Sequence, residues 1–132
     1  MKWKCDVDVL SEEMKAELYL NAIVSRRDIY SLRDLKPEHL PLLENIYTKG
    51  VNAISTKYLI PAQQIRVFIH YQPSFYHLHV HFTHVKGEHN GFQCERAHML
   101  THVIENIRLV PDYYQRVTLE YPLSPLSELK FV

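Results

Sequence analysis

The sequence predicts an α+β domain in which helices pack on an antiparallel sheet. Three observations carry that expectation. Apolar residues recur at helical three- and four-residue steps before residue 60 and again after residue 96, but alternate with a period of two between residues 64 and 83. The two alternating runs are joined by the six residues 71–76, a connection short enough for antiparallel neighbours. No internal repeat, low-complexity tract or linker divides the 132 residues, a length that supports one core.

Taken in order, Ser11-Glu12-Glu13 ahead of Met14, Leu18 and Ala22 predicts a capped amphipathic helix reaching about Arg26, the Ser11 hydroxyl satisfying a free first-turn N–H. Pro37 opens a longer helix whose stripe is Leu40, Leu43, Tyr47, Val51, Ile54 and Tyr58. Gly50 inside it lowers helix propensity by about 1 kcal/mol, which predicts a bend or a close contact. Residues 64–70 and 77–83 read as two strands of one hairpin, and residues 86–93 as a polar loop. Ala97, Leu100, Ile104 and Ile107 mark a third helix that Pro111 ends, and Arg116 to Tyr121 reads as a last strand.

Composition narrows function. Fifteen Lys+Arg balance fifteen Asp+Glu, so no net field draws the chain to DNA or RNA, and any phosphate chemistry is local. Two cysteines, Cys5 and Cys94, do not make a disulfide framework, and no stretch resembles a signal peptide or a membrane span. The expectation is a soluble protein of a reducing intracellular compartment. Nine histidines stand out, being the side chains that change charge near neutral pH.

Three of them, His77, His79 and His81, alternate with Leu78, Val80 and Phe82. A strand puts the three imidazoles on one face, about 6.6 Å apart, and the apolar residues on the other. His70, at the end of the preceding strand, can join them across the hairpin. Three readings are open. The stripe can be structural; it can hold zinc, as His₃ sites do, although no acidic residue lies between Gln63 and Lys86 to orient the ligands; or a neutral ring nitrogen can attack phosphorus and form a nucleotidyl-histidine, which needs no metal. His98 and His102 are four apart on the expected third helix, but Met99 stands where a zinc protease needs Glu, so they read as partly exposed helix residues.

The run His77-Leu78-His79-Val80-His81-Phe82 has the His-φ-His-φ-His-φ form of the histidine triad superfamily. Its setting is more specific. Ser31-Leu32-Arg33-Asp34-Leu35-Lys36-Pro37-Glu38-His39-Leu40-Pro41-Leu42-Leu43, then His70-Tyr71-Gln72-Pro73-Ser74-Phe75-Tyr76, then Glu95-Arg96-Ala97-His98 and Val103-Ile104-Glu105-Asn106 together closely resemble the scavenger mRNA decapping family over nearly the whole chain.

The resemblance implies a histidine-triad-like fold lacking its first strands, with residues 1–132 as a single C-terminal domain and the family's N-terminal dimerisation and lid domain absent. It implies a metal-independent, cofactor-free pyrophosphatase that cleaves the 5′–5′ triphosphate of a 7-methylguanosine cap dinucleotide or short capped RNA in mRNA decay, releasing 7-methylguanosine monophosphate. By position, His79 is the nucleophile, with His77 and His81 organising the phosphates. His70 and Ser74 contact the phosphate chain, and Tyr71, Gln72, Pro73, Phe75 and Tyr76 line the substrate with them. Arg96 helps to hold the phosphates, and Lys2 lies at the methylguanosine pocket. Trp3 does not match the base-stacking position, and Phe75 stands where a tyrosine is usual. A homodimer in the cytoplasm and nucleus is implied, without DNA or membrane partners. The alternative is a non-catalytic nucleotide-binding or dimerisation remnant of the family.

Overall fold

Most of the histidine run, from His79 onward, lies on an inner strand of a four-stranded antiparallel sheet in the computed structural model, which describes residues 11–87 and 96–122. The strands are β1 (Tyr19–Ile23), β2 (Ile65–His70), β3 (His79–His84) and β4 (Ala97–Met99), in the spatial order β1-β3-β2-β4. The helices are α1 (Glu12–Ala16), α2 (Leu40–Tyr58), α3 (Leu100–Leu109) and α4 (Tyr113–Arg116). The α+β class and the antiparallel pairing of the two alternating runs hold.

One face of the sheet makes the core. Val67 and Ile69 of β2 and Val80 and Phe82 of β3, with Leu78 just before it, are buried against Leu43, Val51 and Ile54 of α2 and Leu100, Val103 and Ile107 of α3. Phe82 sets how close α2 comes: a Cβ on Gly50 would lie 2.3 Å from the tip of the Phe82 ring. The glycine expected to mark a close contact therefore does so. The opposite face carries Tyr19, Phe68, His70, His79 and His81, because residues directly paired across a sheet share a face and Phe68 pairs with His81.

Four expectations are corrected. The helix from Ser11 toward Arg26 is α1 alone, capped as expected by the Ser11 hydroxyl accepting from the Met14 N–H at 3.2 Å. The chain then becomes β1, pairing Tyr19 with Thr83 through Ile23 with His79. Leu18, Leu20 and Ala22 satisfy a period of two as well as Met14, Leu18 and Ala22 satisfy a period of four, and pairing with β3 decides between them. Ala97–Met99, expected to begin the third helix, is instead β4 on the edge of β2, so His98 is a strand residue; α3 starts at Leu100. Residues 116–121 form no strand. Arg116 ends α4, and the Arg33 guanidinium donates to the Tyr114 carbonyl of that helix at 3.0 Å and to the Val117 carbonyl at 2.7 Å, the latter an acceptor that a strand would give to a sheet. The strand expected from His77 begins at His79: just before it Leu78 N–H donates to the Ile29 carbonyl, while its own carbonyl still accepts from Val24 N–H in register with β1.

Candidate functional site

His79 is the best-defined member of the cluster. Its Nδ1 lies 2.7 Å from the His77 carbonyl oxygen, an atom that only accepts, so Nδ1 carries the proton and the neutral ring has its lone pair on Nε2. Phe75, from the loop between β2 and β3, stacks on that ring with centroids 4.2 Å apart and planes 11° from parallel. His79 is thereby only 4% exposed. The strand face that carries it is covered.

His77 plays a different part. It sits in the bend before β3, half-buried, and its Nε2–H donates to the Val24 carbonyl. That bond ties the start of β3 to the end of β1 and spends one nitrogen of the first triad histidine on the scaffold.

His81 is enclosed by rings. Phe68 stacks on it at 5.1 Å and 8°, His70 lies 4.1 Å away, and His79 meets it edge-on at 4.9 Å. Its Nδ1 is 2.7 Å from the Tyr19 hydroxyl of β1, while Nε2 is buried and has no hydrogen-bond partner among the described residues. Burial away from water above all, reinforced by the Arg96 charge, pushes the His81 pKa down to about 3, so this imidazole is neutral at physiological pH.

The structure brings some of the sequence-predicted residues together and places others apart. His70, His79, His81 and Phe75 are brought into ring contact. Pro73, His70, His77 and His79 line one narrow space that Ser31 also borders. Ser74 and Tyr76, in the loop between β2 and β3, are exposed. Tyr71 is turned toward Tyr121 instead: the two rings meet edge-on at 5.6 Å, and the Arg33 guanidinium carbon lies 5.3 Å from the Tyr71 ring centre. Arg96 donates to the Gln72 carbonyl at 3.0 Å while its own carbonyl accepts from Tyr71 N–H at 2.9 Å, so it braces the loop that carries Phe75. Lys2, with Trp3 and both cysteines, lies outside the described residues, as does residue 95 of the Glu-Arg-Ala-His block. Among the described residues no three His, Cys, Asp or Glu side chains are arranged to hold a metal ion.

Sequence reasoning missed Tyr19 and Phe68. Tyr19 was placed on a helix, so nothing aimed it at His81, which is 62 positions away. The alternation Tyr19-Asn21-Ile23 was the signal that could have found it.

A family model described as "Scavenger mRNA decapping enzyme C-term binding" matches residues 8–98. The chain is similar to the m7GpppX diphosphatase of Rattus norvegicus, at 50% identity over 122 residues that cover 90% of this chain and 36% of the relative. It is equally similar to that of Homo sapiens, with 50% identity over 122 residues and the same coverage. Against the Ascaris suum m7GpppX diphosphatase the identity is 53% over 104 residues, covering 79% of this chain and 35% of the relative. The chain spans about a third of the length of these curated relatives.

Proposed function

The chain belongs to the scavenger mRNA decapping enzyme family, and from that premise we propose that its triad face is the reactive half of a cap pyrophosphatase. The substrate is a 7-methylguanosine cap dinucleotide or a short capped RNA, of the m7GpppX type that the relatives' name states.

In this reading the Nε2 lone pair of His79 attacks the phosphorus nearest the methylguanosine. An N–P bond forms and the P–O bond to the bridging oxygen breaks, so the remaining nucleoside or RNA leaves with a 5′-diphosphate. Water then attacks the same phosphorus, the N–P bond breaks, and 7-methylguanosine monophosphate departs. The positive charge that grows on the His79 ring during attack is stabilised by the His77 carbonyl already bonded to Nδ1. That bond is the observation that carries the proposal, because it leaves the attacking nitrogen unprotonated without help from a metal. His81 and His70 take the non-bridging oxygens, Ser74 and Tyr76 border the phosphate chain, Arg96 acts through the Gln72 carbonyl as well as by its charge, and Lys2 serves the methylated base.

Hydrolysis of the methylated cap dinucleotide and its unmethylated analogue in excess chelator, with His79→Ala as control, tests the proposal. Chelator-resistant turnover that vanishes in the control, with a trapped alkali-stable nucleotidyl adduct mapped to His79, supports it. A folded protein that forms neither product nor adduct with either substrate is instead a binding or dimerisation remnant. We further propose that the chain works as a homodimer in the cytoplasm and nucleus. β1 and β4 are the outer strands among the described residues, and an outer strand offers unpaired backbone groups to a partner. Light scattering and imaging of a tagged full chain check these two points.

A further inference from the structure

The two inner histidines differ in what holds their Nδ1 atoms. At His79 a carbonyl, which can only accept, fixes the proton on Nδ1. At His81 the partner is the Tyr19 hydroxyl, which can also donate. Neutral His81 has one proton to place, and its Nε2 is buried without a partner among the described residues. We infer that Tyr19 is a positioning residue: by donating its O–H to Nδ1 it holds His81 as the Nε2–H tautomer, opposite to that of His79.

The consequence is a matched pair of neighbouring rings, 4.9 Å between centroids, one presenting a lone pair and the other a proton at Nε2. A phosphoryl group needs both, a nucleophile at phosphorus and a donor to the oxygens on which charge accumulates. Phosphate oxygens only accept, so a His81 with its proton on Nδ1 would turn a lone pair toward them and repel them. Tyr19 can serve this way at neutral pH because it retains its proton: partial burial raises its pKa above the ordinary phenol value. Its ring also meets His81 edge-on at 5.6 Å, which fixes the hydroxyl's approach. The catalytic part of this inference rests on the hydrolase reading; the tautomer part does not.

Long-range ¹⁵N–¹H spectra of the histidine rings at pH 7 test it, with His81 assigned by the signals lost in His81→Asn. The expected wild-type pattern is a protonated Nε2 and an acceptor-type Nδ1 for His81, reversed for His79. In Tyr19→Phe the His81 pattern should move to a mixture or to the Nδ1–H form while that of His79 stays. A wild-type His81 protonated on Nδ1 overturns the inference even if the variant fails to fold, and so does an unchanged His81 pattern in Tyr19→Phe. Where the wild type hydrolyses the methylated cap dinucleotide, Tyr19→Phe should lower kcat about tenfold with KM nearly unchanged, since one hydrogen bond's worth of orientation is lost. Loss through KM alone overturns the catalytic part. If neither protein turns over but the spectral change is present, the hydrolase reading fails and the tautomer assignment is upheld.

Discussion

Phe75 lies flat on His79, its ring 4.2 Å from the imidazole and 47% exposed on the far side. The solvent-facing ring is thus the cover, and the histidine it covers holds the site's oriented lone pair. Phe75 covers one face of the imidazole and so limits access to the ring, while the Nε2 lone pair points outward in the ring plane. Phe75→Ala is therefore expected to raise the rate at which diethyl pyrocarbonate modifies His79 by severalfold, read by peptide mass spectrometry with exposed His102 as internal reference. An unchanged rate would mean that other groups shield the ring.

Acid should weaken the fold. Burial lowers the pKa of His81 to about 3 and also lowers those of His84 and His98, while the same imidazoles titrate near 6.5 once unfolded. Below about pH 6.5 the unfolded chain then binds more protons than the native one, so stability is full above neutrality and falls as pH drops. Each group contributes a slope of at most about 1.4 kcal/mol per pH unit. Urea unfolding at pH 7 and pH 5 measures it, and His81→Asn should flatten the slope; equal stability at both pH values in wild type contradicts the assignment.

The contact between Gly50 and Phe82 makes a packing prediction. Gly50→Ala normally favours a helix, by about 1 kcal/mol. Here the new methyl would overlap a ring that is 2% exposed and cannot swing away, so the substitution should instead destabilise by about 1–3 kcal/mol. Combining it with Phe82→Leu should cost less than the two changes added separately, which a double-mutant cycle in urea detects.

At the other end of α2, Leu59 adopts φ 55° and ψ 39°, the left-handed conformation that caps helices and suits glycine, and its side chain is 57% exposed. Leu59→Gly should stabilise the domain by about 0.5–1 kcal/mol, while Leu59→Ala, which keeps the backbone clash, should not. A higher midpoint for the alanine variant than for the glycine variant would refute this.

Much of the site was legible because its geometry is local. The alternation from residue 77 to 82 places His79 and His81 on one face, and the short loop brings His70 back beside them; neither requires knowledge of distant chain. What was illegible depends on distant chain. Tyr19 becomes a site residue only because β1 pairs with β3, and the residues around it fit a helix equally well until that pairing is known. His77 matches its neighbours in sequence yet bonds to Val24, a partner that no spacing announces. The strand expected at 116–121 is absent for a related reason: its first residue belongs to α4, and Arg33, far back in the chain, takes the carbonyl of Val117.

Those distant partners separate the motif from its chemistry. A synthetic hairpin of residues 65–84 would contain every histidine of the cluster and the Phe75 cover, but neither Tyr19 nor Val24. It would keep the His77 carbonyl next to His79 Nδ1 but lose the Tyr19 hydroxyl at His81 and the Val24 carbonyl at His77. The arrangement that six consecutive residues begin is thus completed only when a strand from near residue 20 has docked alongside them.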